Sequence, residues 1–150
     1  MAGLYYEEFK VGMEFKHPLT RTVTEMDNIM FCAMTHNPQP LHLDEEFSKK
    51  TAYGQRIVNS LFTLGLMVGV TVADTTLGTT LGNLGMTDIR FVNPVCHGDT
   101  RRVVTRIKEM RESKSRPNAG LVVFEHYAYN QRDKEVAYCV RTGLMIKRPA

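Results

Sequence analysis

The sequence predicts an α+β domain in which an antiparallel sheet curls around one long apolar helix. Apolar residues cover every side of a helix running from about Asn59 to Asp74. Over the C-terminal half the hydrophobic spacing switches to period two. Short turn segments separate those strands, which puts them in hairpin order. With 150 residues, 43% of them hydrophobic and 23% charged, the chain reads as one unit over residues 1–150, without repeats or linkers. At this size folding buries about 68 to 70% of the unfolded chain's surface, so a core needs no metal or cross-link.

Thr20 to Thr24 is a short β-branched stretch. Met26, Ile29, Met30, Ala33 and Met34 then recur at helical spacing, which predicts an amphipathic helix with Thr24 as N-cap and Asp27 completing a shortened capping box. Pro38 and Pro40 stop it, because proline lacks the backbone donor and drives its predecessor out of the α region. Leu41 to Lys50 reads as one or two exposed helical turns, broken at Gly54. In the long helix Leu61, Leu64, Val68 and Val72 form one face and Phe62, Leu66 and Val70 another, so other structure must wrap it. Gly65 and Gly69, four apart, suit close approach of a neighbouring backbone better than a membrane dimer face. Asp74 to Gly85 reads as a loop entering a strand. Strands follow from Val103, Thr105 and Ile107, from Val122, Phe124, His126 and Ala128, and from Val136, Tyr138, Val140, Thr142, Leu144 and Ile146. Turns at 93–99, 113–120 and 130–133 divide them.

Composition excludes several functions. Cys32, Cys96 and Cys139 are odd in number and far apart, as expected of reduced thiols in a cytoplasmic protein. No Cys/His spacing builds a tetrahedral zinc site. The net charge of +3 is spread among acids, unlike a nucleic-acid binder's basic stripe, and suits a small anionic ligand. The N-terminus carries Glu7 and Glu8 and no apolar run, so no signal peptide is expected. Residues 57–73 are too short and polar for a membrane span.

The most informative segment is Thr35-His36-Asn37-Pro38-Gln39-Pro40-Leu41-His42-Leu43-Asp44, which sets an amide, two rigidifying prolines and an imidazole between a helix end and the next helix. Prolines pre-order the loop, so polar groups on it lose less entropy when held in place. On residue type alone, a satisfied loop histidine is the simpler account of His42, and a helix-ending residue accounts for Asn37 as readily as a catalytic one.

The surrounding pattern goes further. With Phe31 ahead of it, Ser48 after it, then Tyr53 to Ser60 and Phe91 to Thr100, the segment resembles the MaoC-like dehydratase family, of the (R)-specific enoyl-CoA hydratase type. That family's motif runs Gly-Asp-x-Asn-Pro-aliphatic-His. The resemblance implies a hotdog fold, pairing into a homodimer or dimer of dimers, and reversible hydration of an enoyl-CoA, with coenzyme A as part of the substrate and neither metal nor redox cofactor. It implies His42 and Asn37 as catalytic residues. Val58, Asn59, Ser60 and Gln39 would bind the thioester, with free amides at the helix start opposing enolate charge. Arg56, Arg90, Lys114 and Arg116 would meet the CoA phosphates. The chain departs from the motif where Asn37 stands at the catalytic aspartate, Gln39 at the asparagine, His36 at the glycine and Ser60 at a second glycine. An amide cannot take a proton at neutral pH. Three accounts follow: Asn37 orients water while His42 makes both transfers, His36 or a nearby acid substitutes, or the domain binds acyl-CoA without hydrating it. A hotdog acyl-CoA thioesterase is the rival enzyme. The Gln-Pro variant suggests a short, branched or dicarboxylic acyl-CoA of mesaconyl or methylmalyl type.

Overall fold

The structure, a computed structural model, describes residues 3–149. Strands β1 (Glu14–Lys16) and β2 (Arg21–Thr22) lead into helix α1 (Glu25–Met34) and two short helices, α2 (Pro40–Leu43) and α3 (Glu45–Lys49). The long helix α4 (Ser60–Thr75) follows, then β3 (Thr80–Arg90), β4 (Thr100–Glu112), β5 (Ala119–Tyr129) and β6 (Glu135–Ile146). The sheet order is β1-β4-β5-β6-β3, with β2 also on β4 and every pairing antiparallel.

Long in-register pairing of β4, β5 and β6 realises the period-two pattern, and its inward residues meet α4. Met67 and Val70 from the helix, Val103 from β4, Ala128 from β5 and Ala137 and Cys139 from β6 close one buried cluster. Each large apolar side chain so buried contributes about 1.5–3 kcal/mol. No helix among the described residues is long and apolar enough to cross a membrane.

Three expectations are corrected. Residues 80–85 are not a loop but the first half of β3, an eleven-residue strand on β6 with irregular register around Gly82 and Gly85. Glycine has low strand propensity, and an edge strand pairs on one side only, so the sequence signal there is faint. The sheet also covers α4 on one face alone. Thr63, Met67, Val70, Thr71 and Thr75 are buried, whereas Leu61 is 60% exposed and, among the described residues, nothing from outside the helix lies within 4 Å of a Cβ built on Gly65 or Gly69. Within one chain the wrapping is half complete. Finally, α1 forms with the expected capping box, Asp27 N donating to Thr24 Oγ1 and Thr24 N to Asp27 Oδ2. Its methionine stripe, however, faces outward, Met26 and Met34 being 65% and 68% exposed. The buried face carries Asn28 and Cys32 instead.

A line of polar groups pins the C-terminal end of α4 to the sheet. Arg141 Nε donates to His126 Nε2 at 3.1 Å, which leaves His126 Nδ1 to donate to Thr105 Oγ1 at 2.8 Å. The Thr105 hydroxyl then donates to His17 Nε2 at 2.8 Å, and His17 Nδ1 to the Asp74 carboxylate at 2.9 Å. Each link fixes the next tautomer, so the chain has one direction. Burial, and then the charge of Arg141, hold the His126 pKa well below its ordinary value.

His36 ends α1 at φ 53, in the left-handed region. That conformation costs a side chain roughly 1–2 kcal/mol, against roughly 0.5–1 kcal/mol for the entropy of glycine. His36→Gly should therefore raise the melting temperature by about 2–4 °C, read by thermal unfolding.

Candidate active site

Pro40 opens α2 at its first turn, where a missing amide costs nothing, and so delivers His42 on a rigid single turn. Buried Ser48 braces it from α3, its hydroxyl lying within bonding distance of the carbonyls of Pro40 and Leu41. A larger side chain would not fit this contact, which accounts for a small residue at that position. His42 is half-buried, and its Nδ1 lies 2.8 Å from the Ile57 carbonyl. A carbonyl only accepts, so Nδ1 carries the proton. Nε2 is then the lone-pair nitrogen, without a hydrogen-bond partner among the described residues.

Asn28 links these parts. Fully buried on α1, its Nδ2 lies 3.2 Å from the carbonyls of His42 and Ile57 and 3.1 Å from His97 Nε2, three acceptors that share its two protons. Its Oδ1 accepts from the Asn59 amide at 2.9 Å. One amide thus ties α1, the His42 turn and the start of α4 together. Sequence reasoning missed it, because the apolar stripe of α1 drew attention to the opposite face.

At the start of α4 most amides are already engaged. Val58 N donates to the Val95 carbonyl at 2.7 Å and Asn59 N to Asn28, while the Asn59 side chain caps Leu61 N at 2.9 Å. Val58 and Asn59 therefore do not offer the free amides expected of them: one pairs with the 93–99 turn and the other with α1. Among the described residues the amides of Ser60 and Phe62 keep no partner, and both sit at the positive end of the helix dipole. Ser60 lines a cavity of about 230 Å³ with Ile57, Val58, Thr63, Val95 and Val136.

The remaining expected site residues are scattered. Asn37 lies in a separate cleft of about 390 Å³ with Cys32, His36 and Leu43, and its Oδ1 accepts from Gln39 N at 3.0 Å. It does not share the Ser60 cavity, since this tight turn holds its amide against its own backbone. The Gln39 side chain is exposed on the same turn. Arg56 is committed elsewhere: Nη2 pairs with Glu25 at 2.6 Å and Nε with Glu45 at 2.8 Å, clamping α1 to α3. Arg90 lies over the Tyr138 ring at 4.4 Å, on the exposed end of β3. Lys114 and Arg116 occupy the turn beyond the far end of the 13-residue β4, about 40 Å from the strand end near α4's start. Within one chain they are out of reach of the cavity.

A single long helix lying on a curled antiparallel sheet is the hotdog fold, and His42, bonded to the Ile57 carbonyl three residues ahead of that helix though not itself lining the Ser60 cavity, marks the candidate site. The chain belongs to the family described as MaoC like domain, whose model matches residues 8–127. Mesaconyl-CoA hydratase of Cereibacter sphaeroides is 28% identical over 98% of this chain and 42% of its own length. The 3-hydroxybutyryl-CoA dehydratase of Methylorubrum extorquens is 32% identical over 75% of this chain and 69% of its own. The crystal structure of the MaoC-like dehydratase from Rhodospirillum rubrum superposes with a TM-score of 0.86 at 26% identity, covering 99% of this chain and 100% of that one. This chain spans less than half the length of the mesaconyl-CoA hydratase.

Proposed function

We propose that this chain adds water reversibly to the double bond of a short enoyl-CoA, acting as an enoyl-CoA hydratase and 3-hydroxyacyl-CoA dehydratase. The observation that carries the reading is His42: a proton fixed on Nδ1 by the Ile57 carbonyl and a bare Nε2, with Ile57 standing three residues ahead of the unpartnered Ser60 amide. In the hydration direction Nε2 accepts a proton from water as the water oxygen bonds to C3. The π electrons move to C2 and onto the thioester oxygen, where the Ser60 N–H and the helix dipole oppose the growing charge. The imidazolium then returns its proton to C2. One imidazole makes both transfers, because the Asn37 amide can do neither and is turned toward Gln39. The substrate pair differs only by water, so the step asks for no redox group. The dehydratase and hydratase names of its relatives support the same reaction class.

The active form in this reading is a homodimer. The open face of α4, with Leu61 and the two glycines, and the unpaired edge of β3, with exposed Leu81, Leu84 and Ile89, both need a cover, and a second copy of the chain offers matching surfaces.

Incubation of the protein with crotonyl-CoA and with mesaconyl-CoA, following enoyl absorbance and free thiol separately, tests the reading. Loss of absorbance without thiol release is the expected result. Thiol release would indicate a thioesterase, and binding without either change a non-catalytic module.

A further inference from the structure

The turn at residues 93–99 is fastened to the stretch that leads into α4. Val95 O accepts from Val58 N at 2.7 Å, and Cys96 forms an isolated antiparallel bridge with Ile57. The same turn carries His97, a half-buried imidazole that the hydration step does not use. Its Nε2 lies 3.1 Å from Asn28 Nδ2.

The polarity of that contact is set from its far side. Asn28 Oδ1 faces the Asn59 N–H at 2.9 Å, and a backbone amide only donates. Nδ2 faces the carbonyls of His42 and Ile57, which only accept. The side-chain amide therefore has one permitted orientation, with N–H toward His97. Nε2 must meet it as a lone pair, so the neutral ring keeps its proton on Nδ1.

A second proton on His97 can enter only at Nε2. Two N–H groups would then oppose each other across 3.1 Å. Turning the Asn28 amide over to offer Oδ1 would set Nδ2 against the Asn59 N–H and withdraw the donor from both carbonyls. Neither orientation accommodates the imidazolium.

The charges around the ring are Glu25 on α1, Glu45 on α3 and Arg56 between α3 and α4, with Asp99 two residues along its own turn. Arg56 pairs with both glutamates, and Asp99 accepts from Gln131, Arg132 and the Cys96 amide. Burial, and then the charge of Arg56, hold the His97 pKa below its ordinary value. The neutral ring thus stabilises the fold above the unfolded value of about 6.5, and that contribution is lost as pH falls through the folded one.

We infer that His97 is a positioning residue for the hydration step: neutral, it completes the Asn28 network that steadies the Ile57 carbonyl against His42 Nδ1, and protonated, it breaks that network and spoils the aim of His42. The inference rests on His42 as the acid–base group and adds a second protonation that governs the same site.

Imidazole ¹H–¹⁵N spectra of the wild-type protein, recorded from about pH 8 to about pH 5, test the coupling without turnover. His97 should be the Nδ1–H tautomer at the alkaline end. As it takes up its proton, the His42 Nδ1–H signal should move with the same midpoint. Steady-state kinetics with crotonyl-CoA give the second readout, with circular dichroism confirming the fold at each pH. His42 must be neutral to accept a proton from water, which alone gives log kcat an acid-side slope of about 1. A second required deprotonation takes the wild-type slope toward about 2. His97→Gln keeps an acceptor oxygen at the reach of Nε2 that does not titrate. Its slope should return to about 1, and its rate relative to pH 8 should exceed the wild-type value by about tenfold one pH unit below the His97 midpoint. Equal slopes in the two folded proteins, or a His97 titration that leaves the His42 Nδ1–H signal unmoved, would overturn the inference. The wild-type spectra decide alone if the glutamine variant does not fold. The two readings can fail separately. A protein that hydrates neither crotonyl-CoA nor mesaconyl-CoA yet couples the two imidazole signals keeps the positioning network and loses the hydratase. One that hydrates crotonyl-CoA with a single-proton limb in both proteins does the reverse.

Discussion

His42→Ala should slow enoyl-CoA hydration by about 10²- to 10⁴-fold, the range that a positioned acid–base group contributes. The upper part of the range is expected, because among the described residues no second carboxylate or imidazole side chain is bonded to the His42 turn to take over either proton transfer. The fold should survive. The substitution removes one hydrogen bond, from Nδ1 to the Ile57 carbonyl, from a half-buried site, a loss of about 0.5–1.5 kcal/mol. Steady-state kinetics with crotonyl-CoA should place the defect in kcat, with KM little changed, since the ring acts on water and C2 and does not hold coenzyme A. Activity near wild type would remove His42 from the mechanism.

How far the site could be read in advance differs from element to element. Helix starts were legible because they rest on local chemistry: Thr24 with Asp27 and Asn59 with the Leu61 amide are cap contacts spanning two or three residues. The His42 turn was legible for the same reason, through its prolines. The facing of α1 was not. Apolar periodicity marks the surface that seeks cover, and here the methionine surface stays open while Asn28 is buried, its partners beyond its own helix lying 14, 29, 31 and 69 positions away. No pattern within a helix reports contacts of that range. β3 was hidden by its glycines. Availability of the helix-start amides was likewise beyond the sequence, because Val95 and Asn28 reach Val58 and Asn59 only through tertiary contact.

Asn28→Ala should produce the largest loss of stability and should depress activity through a residue that touches no reacting atom. The side chain is completely buried, and its removal strands the Asn59 amide and leaves the carbonyls of His42 and Ile57 without its donors. At about 1–3 kcal/mol for each buried group left unsatisfied, and with His42 and Ile57 able to recover part of their bonding locally, the expected cost is about 3–5 kcal/mol. Thermal unfolding should show it as a fall of roughly 6 to 20 °C in melting temperature. Leucine, of similar volume, should not restore it, because the loss is of hydrogen bonds and not of packing. Activity measured well below the new melting temperature separates positioning from unfolding. The Ile57 carbonyl both receives His42 Nδ1 and is held by Asn28, so losing Asn28 frees the acceptor that sets the imidazole's tautomer and aim. Misplacement of about 1 Å is enough for a 10²-fold loss in rate. A variant that melts early yet turns over at the wild-type rate when folded would confine Asn28 to stability and leave the aim of His42 to its proline-braced turn alone.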